Sequence, residues 1–152
     1  MATDRSYVAE NRDQLARLRR VTDRLSDAQL SHPMPDGWTV SGVLGHLAFW
    51  DERIVQLLDR WGADGRGPAP VGFDEAHVDW INDAKKPLCL GLAPREAARI
   101  AIVSAEAADK RVAELSDALL AANAKAGNPV SVHRAEHRRE HLDEIERVRA
   151  RR

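Results

Sequence analysis

The sequence predicts an all-α fold, a four-helix bundle in which a long irregular connection containing a short helix joins the second and third helices. Three observations carry that prediction. Long stretches place apolar residues three and four apart, proline and glycine clusters separate them, and no stretch alternates like a convincing β-strand. At 152 residues the chain has the length of one domain, taken as residues 1–152. No internal repeat or low-complexity linker divides it.

The first helix is read over residues 6–25, where Val8, Asn11, Leu15, Leu18, Thr22 and Leu25 mark one stripe. It stops at Ser31-His32-Pro33-Met34-Pro35-Asp36-Gly37, because proline cannot continue a helix and glycine permits the turn. The second helix starts with Thr39 as N-cap and runs to about Trp61, with Val43, Leu47, Trp50, Ile54, Leu57 and Leu58 at helical spacing. A glycine-rich loop, residues 62–68, follows. The short helix of the connection is expected over residues 74–84, capped by Asp74 and closed by Pro87 and Gly91.

Pro94 suits the first position of the third helix, with Glu96 in its first turn, and the pattern predicts helix to about Ala122. Its inner stripe is Ala97, Ala101, Ser104, Ala108, Leu115 and Leu119, whose small members let a neighbouring helix come close. After Gly127-Asn128-Pro129 the last helix is expected from about Val130 to the basic end of the chain.

Charge and composition narrow the functions. The 23 lysines and arginines balance 24 acids, so no net field draws the protein to nucleic acid or acidic lipid, and an anionic substrate must be held locally. The arginines of the last helix, Arg134, Arg138, Arg139, Arg147, Arg149, Arg151 and Arg152, are interleaved with acids, which ranks nucleic-acid binding last. Residues 1–10 lack the apolar core of a signal peptide and no run is long enough to span a bilayer, so a cytoplasmic protein without a membrane partner is expected. Cys89 stands alone in Leu88-Cys89-Leu90-Gly91-Leu92 and reads as a small buried hydrophobe, not a nucleophile. Abundant arginine and alanine beside scarce lysine fit a GC-rich bacterial genome.

Histidines carry the functional signal. His133, His137 and His141 recur every fourth residue, and side chains four apart lie about 6 Å from one another along a helix axis, within reach of one ion. At about 100° per residue, His137 and His141 share a face with Val130, Ile145 and Val148, whereas His133 drifts to its edge. His46 lies independently in the apolar stripe of the second helix, where a buried imidazole needs partners for its nitrogens. Any one of these residues reads as a hydrogen-bonded core histidine. His46, His137 and His141 together favour a divalent-metal site built inside a bundle. His137-Arg138-Arg139-Glu140-His141 also fits the H-x-x-E-H pattern of inverted zinc proteases, but those need a further ligand well downstream and a larger scaffold. Glu136, Glu140 and Glu144 are read as surface partners of neighbouring arginines.

Asp36-Gly37-Trp38-Thr39-Val40, leading into Val43-Leu44-Gly45-His46-Leu47-Ala48-Phe49-Trp50-Asp51, together with His137 to His141, resembles the DinB-like superfamily, also called the YfiT-like metal-dependent enzymes. The resemblance covers nearly the whole chain. It implies a four-helix bundle with zinc, nickel or a similar ion held by His46, His137 and His141, and a small-molecule substrate. It also implies the chemistry of relatives that transfer low-molecular-weight thiols such as bacillithiol or mycothiol. In the related mycothiol-dependent maleylpyruvate isomerase the first position of the terminal pair is glutamate. His137 stands there in this chain, which favours the three-histidine branch. Other similar proteins protect cells against reactive natural products, so a detoxifying hydrolase is a second implied role.

Trp38 and Trp50 are candidate pocket walls, with core packing as the competing reading. Asn82 is a candidate polar contact in the cleft, and Arg53, three residues after Trp50, could reach a carboxylate of the thiol or substrate, although a surface pair is its default reading. The rival to an enzyme is a non-catalytic stress-response bundle that a metal stabilises or that binds a small molecule. An open coordination position separates the two, since structural zinc is closed by four protein ligands. The oligomeric state stays open, with a homodimer through exposed helix faces as one arrangement.

Overall fold

The computed structural model describes residues 2–150, and among them there is no strand, merely an isolated antiparallel bridge between Pro33 and Thr39. Seven α-helices form: α1 (Ser6–Arg24), α2 (Asp27–Leu30), α3 (Val40–Asp64), α4 (Glu75–Leu90), α5 (Pro94–Ala113), α6 (Asp117–Lys125) and α7 (Arg134–Ala150). The long ones, α1, α5, α3 and α7, pack around a ring in which each touches two neighbours, and α4 lies against the outside of α3. This is the four-helix bundle expected. No helix is long and apolar enough to cross a membrane.

The α3–α5 seam is the tightest, because α5 offers it alanines. Ala97, Ala98, Ala101, Ala105 and Ala108 are all buried, with Ala105 taking the place expected for Ser104, which is half-buried. Without side chains beyond Cβ, the two backbones approach and their dispersion contacts multiply. On the other side of the ring, α3 and α7 meet far less closely. A cleft opens there.

Several boundaries differ from expectation, each for a local reason. The buried face of α1 begins at Tyr7, whose hydroxyl donates to the Val112 carbonyl at 3.0 Å, while Val8 is half-buried. The short α2 was not expected, although Ser26 and Gln29 form a complete capping box around it. The third predicted helix is two: α5 ends at Ala113, Arg5 donates to the Ala113 and Leu115 carbonyls, and the Ser116 hydroxyl accepts from Leu119 N–H to start α6. The last helix begins four residues late. Both backbone groups of Val130 are taken by the Asn123 side-chain amide, and Asn11 bridges the Val132 carbonyl to the Ala135 N–H.

The connection between α3 and α5 is also corrected. Asp74 caps α4 as expected, accepting from His77 N–H at 3.0 Å, but the helix runs through Pro87 to Leu90. An interior proline forfeits one backbone bond and costs about 3 kcal/mol, so packing must offset it. The packing is visible. A Cβ on Gly42 would lie 2.9 Å from Leu90 Cδ2, and one on Gly45 would lie 3.0 Å from Leu92 Cδ1 and 3.4 Å from Cys89 Cβ. The two glycines of α3 thus admit the end of α4 at close range, and Cys89 is buried there as the small hydrophobe expected.

Two apolar clusters fill the bundle. One gathers Leu15, Leu18, Leu44, Leu47, Leu142 and their neighbours, the other Tyr7, Ile54, Leu58, Trp61, Val112 and Val130. Between them lies a polar layer to which every long helix contributes: Asn11 from α1, Asp51 from α3, Asp109 from α5, and Arg134 and Arg138 from α7. Arg138, 1% exposed, donates to Asp109 at 2.8 and 3.0 Å, to Asp51 at 3.5 Å and to the Asn11 carbonyl at 3.1 Å. Arg134 donates to Asp51 at 2.9 Å. Two cations face two anions, so the layer is balanced and fully hydrogen-bonded.

Candidate metal centre

The cap that starts α3 also starts the site. The turn Pro35–Gly37 reverses the chain with Asp36 and Gly37 both at positive φ, 59° and 76°, a conformation that glycine and aspartate tolerate best. Thr39 then accepts from Gly42 N–H at 3.0 Å, and α3 proceeds with Val43, His46 and Trp50 on the side facing the cleft. Trp38, held by the turn, meets the His46 ring edge to face at 5.7 Å. From the opposite wall α7 presents His137 and His141. The polar layer sets the register of α7, since Arg138 is locked into it immediately after His137.

The three histidines predicted from sequence are brought together. His46 Nε2 lies 3.0 Å from His137 Nε2, His137 Nε2 lies 3.1 Å from His141 Nε2, and one ligand atom from each residue falls within 4.8 Å of the others. Tetrahedral zinc with Zn–N bonds of about 2.0–2.1 Å requires ligand nitrogens roughly 3.3 Å apart, so the 3.0 and 3.1 Å spacings suit one ion, while His46 and His141, within 4.8 Å, must close on it. Hydrogen bonding points the same way. Glu144 accepts from His141 Nδ1 at 3.2 Å, which keeps that proton on Nδ1 and leaves Nε2 as a bare lone pair facing His137. A single proton on His137 Nε2 serves one neighbour well, whereas a divalent cation serves all three nitrogens. The histidines can hold a metal ion.

Burial keeps the His46 and His137 imidazoles in the neutral form that binds metal. Desolvation, then Lys85 and His141, lower the His46 pKa to about 3, and desolvation, then His141 and His46, lower that of His137 to about 2. Lys85 is the residue that sequence reasoning missed. It is buried on α4, with Nζ 2.6 Å from His46 Nδ1 and 2.7 Å from Asn82 Oδ1, and Asn82 also accepts from Trp50 Nε1 at 3.0 Å. Desolvation lowers the Lys85 pKa to about 8, so the side chain is a cation at neutral pH, and above that pKa the neutral amine accepts from His46 Nδ1–H. That tautomer frees Nε2 for a metal. An ammonium donating to Nδ1 would instead place the proton on Nε2. Nothing in the sequence spacing pairs Lys85 with His46; the contact exists because α4 continues past Pro87 against the α3 glycines.

A cavity of about 840 Å³ opens beside the histidines, walled by α3, α4, α7 and the loops around Trp38 and Pro129. Trp38 and Trp50 both line it, as does Asn82. His133 does not, lying ahead of α7 beside Tyr7 and 3.9 Å from Glu10. Three readings are corrected here. Among the described residues Glu144 serves His141 and not an arginine, Arg134 and Arg138 are buried in ion pairs and not spread on a surface, and Arg53 lines the cavity without a carboxylate partner.

Compared with known proteins, the family model described as the DinB superfamily matches residues 10–151, a span that includes His46, His137 and His141 and the cavity-lining Trp38 and Trp50. No curated protein and no solved structure matches the chain.

Proposed function

Because the chain belongs to the DinB superfamily, we propose that it is a divalent-metal-dependent enzyme acting on a small molecule, with His46, His137 and His141 as ligands and zinc or nickel as the metal. One observation supports an enzyme over a metal-stabilised, non-catalytic bundle. The three nitrogens converge at the wall of a cavity and not in a sealed core, and no fourth protein ligand joins them among the described residues. Structural zinc is closed by four protein ligands, whereas three leave room for a reactant.

A divalent ion held by His46, His137 and His141 would supply Lewis acidity, lowering the pKa of a thiol or water and polarising an electrophile. The chain supplies the rest. Glu144 fixes the His141 tautomer, Lys85 and Asn82 hold His46 and Trp50 in place, and Trp38 and Trp50 give the cavity apolar walls that exclude water from the reacting atoms. The reaction we favour is transfer of a low-molecular-weight thiol, of the mycothiol or bacillithiol kind, to an electrophilic carbon: the sulfur–carbon bond forms as the bond from that carbon to its leaving atom breaks, and the thiol's proton ends on the leaving atom. With water in place of the thiol, the same arrangement gives a detoxifying hydrolase.

The test is elemental analysis of protein purified without a histidine tag, wild type beside His137→Ala and His141→Ala. About one metal per chain in the wild type and a marked loss in both variants is the expected result, followed by a screen of thiols and electrophiles. Absence of metal from the wild type after reconstitution would overturn the proposal.

A further inference from the structure

Two arginines on the cavity wall, Arg53 and Arg147, have no counter-charge among the described residues, and of the two only Arg53 is withdrawn from solvent, Arg147 being exposed. Arg53 is half-buried on α3, with its guanidinium carbon 5.2 Å from the Phe73 ring centre and 6.0 Å from that of Trp50. Among the described residues it has neither an ion-pair partner nor a hydrogen bond, and none of the wall carboxylates, Asp36, Asp83, Glu140 and Glu144, reaches it. The other buried cations behave differently. Arg134 pairs with Asp51, Arg138 pairs with both Asp51 and Asp109, and Lys85 bonds to Asn82 and His46. Burial, with Arg134 adding repulsion, disfavours the Arg53 charge, so an anion arriving beside it relieves a penalty that the folded chain carries.

We propose that Arg53 is the carboxylate receptor of the cleft, and that the ligand is a small molecule with a carboxylate at one end and a metal-binding group at the other. This rests on the metal reading above for its second end. Arg53 follows His46 by seven residues, about 10 Å along the α3 axis, and helical side chains lean back towards the N-terminus. An extended molecule lying across Trp50 therefore connects the two. A planar guanidinium offers one two-pronged fork, which matches one carboxylate, and the rings of Trp50 and Phe73 hold that fork in orientation without consuming its donors. The near-neutral chain provides no general attraction for anions, so selectivity falls to this residue.

The experiment uses the full chain loaded with cobalt(II), whose visible bands report the metal and whose sulfur charge-transfer band reports a bound thiolate. The probes are 3-mercaptopropionate and 6-mercaptohexanoate, each against the alcohol of equal length. Wild type should bind at least one of the acids about tenfold more tightly than its alcohol, the scale of a charge-assisted contact. Arg53→Met should erase that preference while keeping the cobalt bands and the affinity for the alcohols, and Arg53→Lys should retain part of it. Equal binding of acids and alcohols by wild type, or a preference that survives in Arg53→Met, overturns the proposal. Failure of wild type to show cobalt bands overturns the metal reading instead. Tryptophan fluorescence with hexanoate against hexanol, in a Trp38→Phe, Trp61→Phe, Trp80→Phe background that leaves Trp50 as the one emitter, then reads the Arg53 contact without the metal: a response selective for hexanoate and lost in Arg53→Met supports it, and its absence overturns it.

Discussion

His46 and His137 owe their chemical state to where their side chains end. Each is neutral far below the ordinary histidine range, at about 3 and about 2, chiefly because burial penalises the imidazolium. The consequence for metal-free protein has a definite sign. Both folded pKa values lie below the unfolded value of 6.5, so on acidification the unfolded chain takes up protons first and the native state loses stability. The contribution is whole above pH 6.5 and is lost progressively as the pH falls towards about 3. Each histidine contributes a slope approaching about 1.4 kcal/mol per pH unit, and the two together about 2.7. Urea denaturation of apoprotein between pH 7 and 5 should therefore show a steeper decline for wild type than for the His46→Gln, His137→Gln double variant. Parallel profiles would rule out buried, neutral histidines as the cause.

At the scale of elements, the polar layer decides whether the histidines meet at all. The α3–α7 seam is loose where the cavity lies, and Asp51 joins the two helices by accepting from both Arg134 and Arg138. Asp51→Asn keeps the shape but strands the buried Arg134 guanidinium and leaves Arg138 with Asp109 as its one carboxylate. Breaking one partner from a buried ion network costs about 3–5 kcal/mol. The expected result is a fall of that size in unfolding free energy by denaturant titration, together with weaker metal binding as α7 loses its register. A loss below about 1 kcal/mol would mean that the layer is solvated and does not hold the seam. The layer was illegible in the sequence for a simple reason: the arginines of α7 alternate with acids like any solvated face, and nothing in the linear order pairs Arg138 with Asp109 on another helix.

For the whole molecule, metal binding and folding are linked, because the ligands come from α3 and α7, which lie ninety-one residues apart in the chain at the His46–His137 contact. An ion that binds only the native arrangement stabilises it by about 4 kcal/mol when present at a thousand times its dissociation constant. For a chain of this length that amounts to a rise in Tm of roughly 8–16 °C. Thermal scans with zinc or nickel should show the rise in wild type, its reversal by chelator and its absence in His137→Ala. An unchanged wild-type Tm with saturating metal would contradict a site that bridges helices.

Local sequence settled what local physics controls. Helical periodicity, the Thr39 and Asp74 caps, the Pro94 start and the alanine stripe of α5 specify a helical bundle, because each acts through neighbours within one or two turns. The same logic put His137 and His141 one turn apart and His46 on the inner stripe of α3. Tertiary structure decided the rest. It carried α4 across Pro87, where packing against Gly42 and Gly45 outweighs the lost backbone bond, and so delivered Lys85 to His46. It started α7 late through the side-chain amides of Asn123 and Asn11 from elsewhere in the chain, and it buried Arg134 and Arg138 while leaving Arg53 without a counter-charge. Those outcomes depend on desolvation and on partners distant in sequence, and neither quantity is encoded in the spacing of residues along one helix.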